Sequence, residues 1–443
     1  MPKLSVVMIV KNEADCLADC LNSLGDIADD IVIGDTGSTD DTVRIAEAHG
    51  ACVLNVPWED DFARARTQVL ESASGEWMLH MDADEQLDVD GARRIRALVD
   101  ADGNGADAIE VTLANYCDDP RAWRWAPAAP DNTMARGYSG YIAAPLLRLF
   151  RNHRGYEYRE PVHENITESV REKGGVIRPE PIIIHHYGYR PADKADAAKA
   201  EMYLGIGRKK VGQRPDDPKA WHDLAEQLLA CGEAGEAEEA CRKALELDRG
   251  HAGAATALAN LLLNRGETDE AKKVLRRLLS NGQGAPHVLT ALGAIACREG
   301  KMKEAQRWLE LALAAQPGHF LALLYLARVE DLEERPAMAR EILQHAVDTY
   351  PRLEEAKSRV AAHELRSEAA SLYRHGNLRG ALEKLVEALR LDPEDPLIHN
   401  GLGRALLALG DLPRARQSFT RALQLANGYE AAKTNLRNTS PAT

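Results

Sequence analysis

Met81-Asp82-Ala83-Asp84-Glu85 is the densest group of chemically useful side chains in this 443-residue chain. It closes an apolar segment, residues 77–81, that reads as a β-strand. The two-residue alternation of extended backbone predicts Asp82 and Asp84 on one side as the chain leaves the sheet. Two carboxylates there suit a hard divalent cation that keeps positions open for substrate phosphates. The plain alternative is a solvated acidic turn. A second loop of this kind is Ile33-Gly34-Asp35-Thr36-Gly37-Ser38-Thr39-Asp40. Asp35 stands at a strand end, ready to accept a hydrogen bond from a base or ribose. Gly37 permits a tight turn, and Ser38 or Thr39 can cap the helix that follows. Asp-Thr-Gly-Ser also marks aspartic proteases, but that site needs two such loops on all-β halves, and this chain has one. No G-x-x-x-x-G-K-[ST] is present and no G-x-G-x-x-G follows the first strand, so kinase, ATPase and dehydrogenase readings lose support.

The elements that must position these loops are legible from periodicity. Leu4–Val10 is a continuous apolar run, as in a buried parallel strand. Residues 31–33 and 52–56 read as further strands, with helical spacing over 14–24, 42–48 and 62–73. This βαβα order predicts a Rossmann-like, mostly parallel sheet with helices on both faces. Ligands of such sheets sit outside the carboxyl ends of the strands, where both acidic loops fall.

Taken together, Ser5-Val6-Val7-Met8-Ile9-Val10-Lys11-Asn12-Glu13, Asp35-Thr36-Gly37-Ser38-Thr39-Asp40, Ala65-Arg66 and Asp82-Ala83-Asp84-Glu85 resemble glycosyltransferase family 2, of the α/β GT-A fold, in order and spacing. The resemblance covers about residues 1–190. It implies an inverting, metal-dependent transfer from a nucleotide-sugar donor, usually a UDP-sugar. It places Val10, Asn12 and Glu13 beside the nucleoside, Asp35 against base or ribose, and Arg66 at the diphosphate or bracing the acidic motif. Asp82 and Ala83 would lie along the donor, and Asp82 and Asp84 would hold Mn²⁺ or Mg²⁺, joining an acidic loop to a diphosphate it would otherwise repel. The family often has a second Asp after Asp35 and an Asn after Arg66, where this chain has Thr36 and Thr67.

The stretch from Arg148-Leu149-Phe150-Arg151 to Pro161-Val162-His163-Glu164 resembles the acceptor half of related enzymes. It makes Glu164 the expected catalytic base, with His163 next; the alternative for Glu164 is a salt-bridge partner at a strand end. Ile184-His185-His186-Tyr187-Gly188-Tyr189 resembles a segment of repeat-bearing members. His186 is the expected third metal ligand, against a hydrogen-bonded core histidine. Tyr116, Trp123, Trp125, Tyr138 and Tyr141 suggest an aromatic acceptor loop, against a packed insertion.

The second half is repetitive. Gly-x-x-x-x-Ala recurs at Gly232/Ala237, Gly266/Ala271, Gly300/Ala305, Gly376/Ala381 and Gly410/Ala415, with Glu334/Ala339 filling the gap. The steps are 34, 34, 34, 42 and 34 residues. Small residues let two antiparallel helices approach, and glycine ends the first of each pair. This resembles the tetratricopeptide repeat, with six copies over 216–428, a linker helix over 191–215 and a capping helix and tail over 429–443. The longer step predicts an extended or broken helix near Glu354–Arg374. Groove-facing positions would include His222, Glu226, Thr256, Asn260, Thr290, Arg328, Arg366, Asn400 and Arg404, a mixed polar face for a protein or peptide partner.

Net charge is −14, and it is local: residues 1–100 hold 21 acidic and 8 basic side chains, while residues 201–443 hold 34 of each. That argues against a non-specific nucleic-acid binder. Seven cysteines without a C-x-x-C pair fit reduced thiols. No signal peptide and no apolar run of about 18 residues is seen. The expectation is a cytoplasmic bacterial enzyme, at most peripheral at the inner membrane, whose repeats position a protein acceptor such as flagellin or another surface protein. The alternatives are transfer to lipopolysaccharide or envelope polysaccharide with repeats docking a partner, and a scaffold with an inactive transferase domain. Repeat faces can also pair two copies into a homodimer.

Overall fold

The computed structural model describes residues 3–120, 125–160, 164–188, 194–280 and 285–439. Contacts divide the chain into two compact units, Met1–Leu247 and Asp248–Thr443.

The first unit begins with β1 (Leu4–Val10), α1 (Leu17–Leu24), β2 (Asp30–Asp35), α2 (Thr42–Ala48), β3 (Cys52–Asn55), α3 (Phe62–Ser72) and β4 (Trp77–His80). Each expected strand and helix is present. β5 (Glu85–Leu87), α4 (Val89–Asp100), β6 (Ala108–Cys117), β7 (Trp125–Pro127), β8 (Gly140–Arg151), α5 (Thr167–Glu172) and β9 (Ile177–His186) follow. The sheet order is β3-β2-β1-β4-β8-β6-β9-β5, with β7 on the side of β8. β3, β2, β1 and β4 pair in parallel, so their carboxyl ends share one edge. Past β4 the sheet is mixed: β8 runs antiparallel to β4 and β6, and β9 runs parallel to β6.

Alternation along β1 builds two cores. Leu4, Val6, Met8 and Val10 pack with Leu17, Leu21 and Ile95 on one face, and Val7 packs with Val69, Met78 and Val170 on the other. Asp61 caps α3 through Arg64 N, and Asp88 caps α4 through Gly91 N. The long helix α6 (Lys194–Gln213) and the hairpin α7 (Pro218–Ala230) and α8 (Ala234–Leu247) complete this unit. Lys210 of α6 is buried between Glu160 (2.8 Å) and Asp223 (3.1 Å).

The second unit is helical: α9 (Ala252–Asn264), α10 (Thr268–Ser280), α11 (Pro286–Arg298), α12 (Met302–Ala315), α13 (Phe320–Leu332), α14 (Pro336–Thr349), α15 (Glu354–Arg374), α16 (Leu378–Leu391), α17 (Pro396–Ala408), α18 (Leu412–Leu425) and α19 (Glu430–Arg437). With α7 and α8 these make six helix pairs and the capping helix among the described residues. Ala237, Ala271, Ala305, Ala339, Ala381 and Ala415 are fully buried at the helix crossings, as the repeat pattern requires. Gly232, Gly266, Gly300, Gly376 and Gly410 turn the chain with φ between 79° and 86°, and Glu334 takes the same left-handed position with φ of 61°. α15 is extended rather than broken, one continuous helix of 21 residues against 13 for α13.

Candidate functional site

The loops that leave β1, β2 and β4 meet at the carboxyl edge of the parallel strands, and each is held by its own polar side chains. Asn12, at φ of 57°, has its backbone N–H on Ser38 Oγ (2.9 Å), while its Oδ1 accepts from Thr39 N (2.7 Å). Glu13 N donates to Thr42 Oγ1 (2.8 Å). Val10 O accepts from both the backbone and the hydroxyl of Thr36. Asp35 is nearly buried, and its carboxylate accepts from Gly37 N (3.3 Å) and Ser38 N (3.1 Å). It therefore organises its own loop.

The acidic motif divides at Ala83, which is buried. β4 ends at His80, so residues 81–84 turn instead of continuing the strand. The expected alternation therefore fails, and Asp82 and Asp84 have separate partners. Asp82 sits between two buried arginines: Arg66 Nη2 reaches Oδ1 at 2.8 Å and Arg148 Nη2 reaches Oδ2 at 3.2 Å. Burial raises the Asp82 carboxyl, but the two guanidinium groups outweigh it and hold it well below the usual carboxylate range. Glu85 is fully buried, accepts from Asp82 N (2.8 Å), and pairs with Arg148 at 2.5 Å. Its burial pushes it up to about 7 against the pull of Arg148. His80 completes the cluster. Its Nε2 lies 3.3 Å from Asp82 and its Nδ1 2.9 Å from the Tyr158 hydroxyl. Burial, then Arg148 and Arg66, keep the ring neutral by lowering its pKa. The neutral tautomer that fits donates from Nε2 and accepts from Tyr158 at Nδ1.

Arg66 thus braces the acidic motif, one of its two expected positions. Its Nε donates to Glu164 Oε1 at 2.6 Å. Glu164, the expected base, is in this structure an arginine partner, 13% exposed. His163 lies outside the described residues, as does Trp123.

Asp84 turns the other way, where its Oδ2 stands 3.2 Å from His186 Nε2. His186 is half-buried. Burial lowers its pKa, but the hydrogen bond and charge of Asp84 outweigh this, and the net shift is upward. Asp84 and His186 are thus brought together as expected, while the oxygens of Asp82 are taken up by arginine. Among the described residues no group of three or more His, Cys, Asp or Glu gathers as a complete metal site. Asp84 and His186 supply one oxygen and one nitrogen donor, a set that fits Mn²⁺ or Mg²⁺ when substrate phosphates and water fill the remaining positions. Only glycine fits beside the pair. A Cβ on Gly188 would press into the Asp84 carboxylate and stand 2.7 Å from His186 Nε2.

Sequence reasoning gave no role to Arg148, His80, Tyr158 or Asn115. Arg148 lay inside a quoted motif, but only the β4–β8 pairing, Leu79 opposite Leu149, brings its strand beside the acidic loop. The aromatic segment forms a packed stack. Tyr116 lies parallel to Tyr187 (5.4 Å) and Tyr138 (6.0 Å), and Arg136 sits 4.2 Å over the Tyr187 ring. In the helical unit, Arg366 is spent on Asp331 (2.5 Å) and Asp395 (2.9 Å). Asn400 is spent on Tyr429 Oη (3.1 Å) and Asn435 (2.9 Å). These two groove positions are tied up internally.

Residues 5–161 match the family described as Glycosyl transferase family 2. Residues 256–319 and 366–430 match the Tetratricopeptide repeat, and residues 192–286 match the middle TPR-like domain of cilia and flagella-associated protein 70. A TPR repeat-containing protein of Synechococcus elongatus is 30% identical over 255 residues, 56% of this chain and 58% of that one. The SPbeta prophage-derived glycosyltransferase SunS of Bacillus subtilis is 24% identical over 223 residues, 49% of this chain and 47% of that one. An uncharacterized glycosyltransferase of Rickettsia felis is 40% identical over 87 residues, 20% of this chain and 30% of that one. The chain spans about half the length of the first two curated relatives.

Proposed function

We propose that this chain, a glycosyl transferase family 2 domain joined to tetratricopeptide repeats, transfers a sugar with inversion from a nucleotide-diphosphate donor, a UDP-sugar first, to a protein or peptide acceptor presented by the repeats. The observation that carries this reading is the meeting of three loops at one sheet edge. In this reading Asn12 and Asp35 would flank the nucleoside, and the Asp84–His186 pair, 3.2 Å apart, would face the diphosphate. Val10 and Glu13 fix the first loop, and Ala83 gives Asp82 and Asp84 their separate directions. Buried Arg66, Arg148 and Glu85, with the half-buried Asp82, form the footing beneath it.

A divalent cation, Mn²⁺ or Mg²⁺, held by Asp84 and His186 would supply positive charge to the leaving diphosphate. The protein's own part is to position the donor and to remove the acceptor proton. Glu164 is the base in this reading, acting through its second oxygen while Arg66 holds the first. The repeats bring specificity for a macromolecular acceptor, and the site of action is the cytoplasm. No helix among the described residues is long and apolar enough to cross a membrane.

The test is nucleoside diphosphate release by the purified chain from a panel of nucleotide sugars with Mn²⁺ or Mg²⁺, alongside Asp84→Asn. Release that needs metal and is lost in Asp84→Asn is expected. No release and no binding with any donor and either metal removes the enzymatic reading. Transfer to a lipid-linked saccharide instead of a protein redirects the acceptor assignment.

A further inference from the structure

Asn115 lies beside His186 through an irregularity in the sheet. β6 and β9 pair in parallel with Glu110 opposite Pro179, but two residues later Thr112 is opposite Ile183. β9 therefore takes up two extra residues between those pairs. Continued without that shift, the ladder would set Asn115 opposite Ile184. With it, Asn115 stands opposite His186, and on the other side of β9 His186 stands opposite Glu85. Cross-strand partners share a face of the sheet, so the shift places an amide and an imidazole side by side.

The hydrogen bonds then determine which ring nitrogen keeps its hydrogen. Asn115 Nδ2 donates to Ile142 O at 3.2 Å, which orients the amide. Its Oδ1 is left toward His186 Nδ1 at 2.7 Å. An amide oxygen only accepts, so Nδ1 must carry the hydrogen. The Asp84 carboxylate also only accepts, so without a cation it takes a second hydrogen from Nε2 at 3.2 Å; once a cation displaces that hydrogen, the lone pair left is on Nε2.

We propose that Asn115 is a positioning residue that locks His186 into the tautomer presenting Nε2, so that Asp84 and His186 form a two-point seat for a divalent cation, kept open by the missing side chain of Gly188. This rests on the donor-site reading above and goes beyond it by assigning the coordinating nitrogen and the residue that sets it. Outer partners of this kind are worth about 10–100-fold in metal affinity.

The test uses the full chain and Mn²⁺ with UDP, following Mn²⁺ affinity by electron paramagnetic resonance. Asn115→Leu, which has no acceptor, should weaken Mn²⁺ binding by about 10–100-fold. Asn115→Asp keeps an acceptor toward Nδ1 and should restore affinity to near the native value, even if loss of the Ile142 bond lowers thermal stability. A merely structural role would move stability alone. Gly188→Ala should also weaken binding. Native Mn²⁺ affinity in Asn115→Leu overturns the assignment while leaving the donor-site reading standing; no Mn²⁺ binding by the unaltered chain with UDP removes both. Should Asn115→Leu fail to fold, nitrogen NMR of the histidine-labelled native chain, at a pH where the ring is neutral, decides the matter. A hydrogen on His186 Nδ1 is expected, and a hydrogen on Nε2 alone overturns the proposal.

Discussion

Asp82 and Asp84 are separated by one alanine, and substituting each should give opposite phenotypes. Among the described residues Asp82 is the carboxylate shared by Arg66 and Arg148, both nearly buried, so Asp82→Asn leaves two like charges with a shared partner gone. Removing one member of a buried ion cluster costs about 3 kcal/mol. Urea unfolding should show that loss for Asp82→Asn and almost none for Asp84→Asn, because Asp82, though 31% exposed, neutralises two buried arginines while Asp84 pairs with a histidine. Metal-dependent donor turnover should be abolished in Asp84→Asn while its fold persists. Equal destabilisation by both substitutions would refute this division. The acidic motif itself was legible in the sequence, because three acids in four positions after an apolar run are local information. The division was not. It depends on β4 stopping at His80 and on arginines 16 residues before and 66 residues after Asp82.

Helix ends carry the next level of detail. Five repeat turns use glycine at positive φ, and Glu334 adopts the same conformation with a Cβ. A left-handed residue other than glycine costs about 1–2 kcal/mol. Glu334→Gly should therefore raise the stability of the helical unit by about 1 kcal/mol, net of glycine's greater chain entropy, as read from its denaturation midpoint. His319 caps α13 with Nδ1, which accepts from Ala322 N at 3.3 Å and so must be unprotonated. Burial, with His287 nearby, lowers its pKa to about 4. The unfolded chain titrates near 6.5 and takes up the proton first. Stability from this cap is thus full above pH 6.5 and falls as pH drops toward 4. For a half-buried ring the loss should be about 1 kcal/mol by pH 5, and His319→Asn, which caps without titrating, should flatten that slope. The helices were readable because a 34-residue repeat of small residues is visible in one chain. The β6–β9 shift was not, since it arises from pairing between strands far apart in sequence.

Across the whole molecule, charge is partitioned between the two units. Met1–Leu247 holds 45 acidic and 28 basic side chains, a net of −17, whereas Asp248–Thr443 holds 24 and 27, a net of +3. Self-repulsion in the first unit is screened by salt. Hydrogen exchange should show β1 amides gaining protection from low to physiological NaCl while α13 amides stay level; an equal response would contradict the partition. The longest helix of the second unit has a different consequence. Its eight additional residues turn the helical face by about 80° from where an ordinary repeat would leave it. α15 packs against α14 at one side and α16 and α17 at the other, and its extra length lies within one repeat, between the turns at 350–353 and 375–377. Pulled from its ends, such a solenoid should not yield in equal steps. The repeat that holds α15 should release about eight residues more of chain than its neighbours, so this helix sets the one odd step in the record.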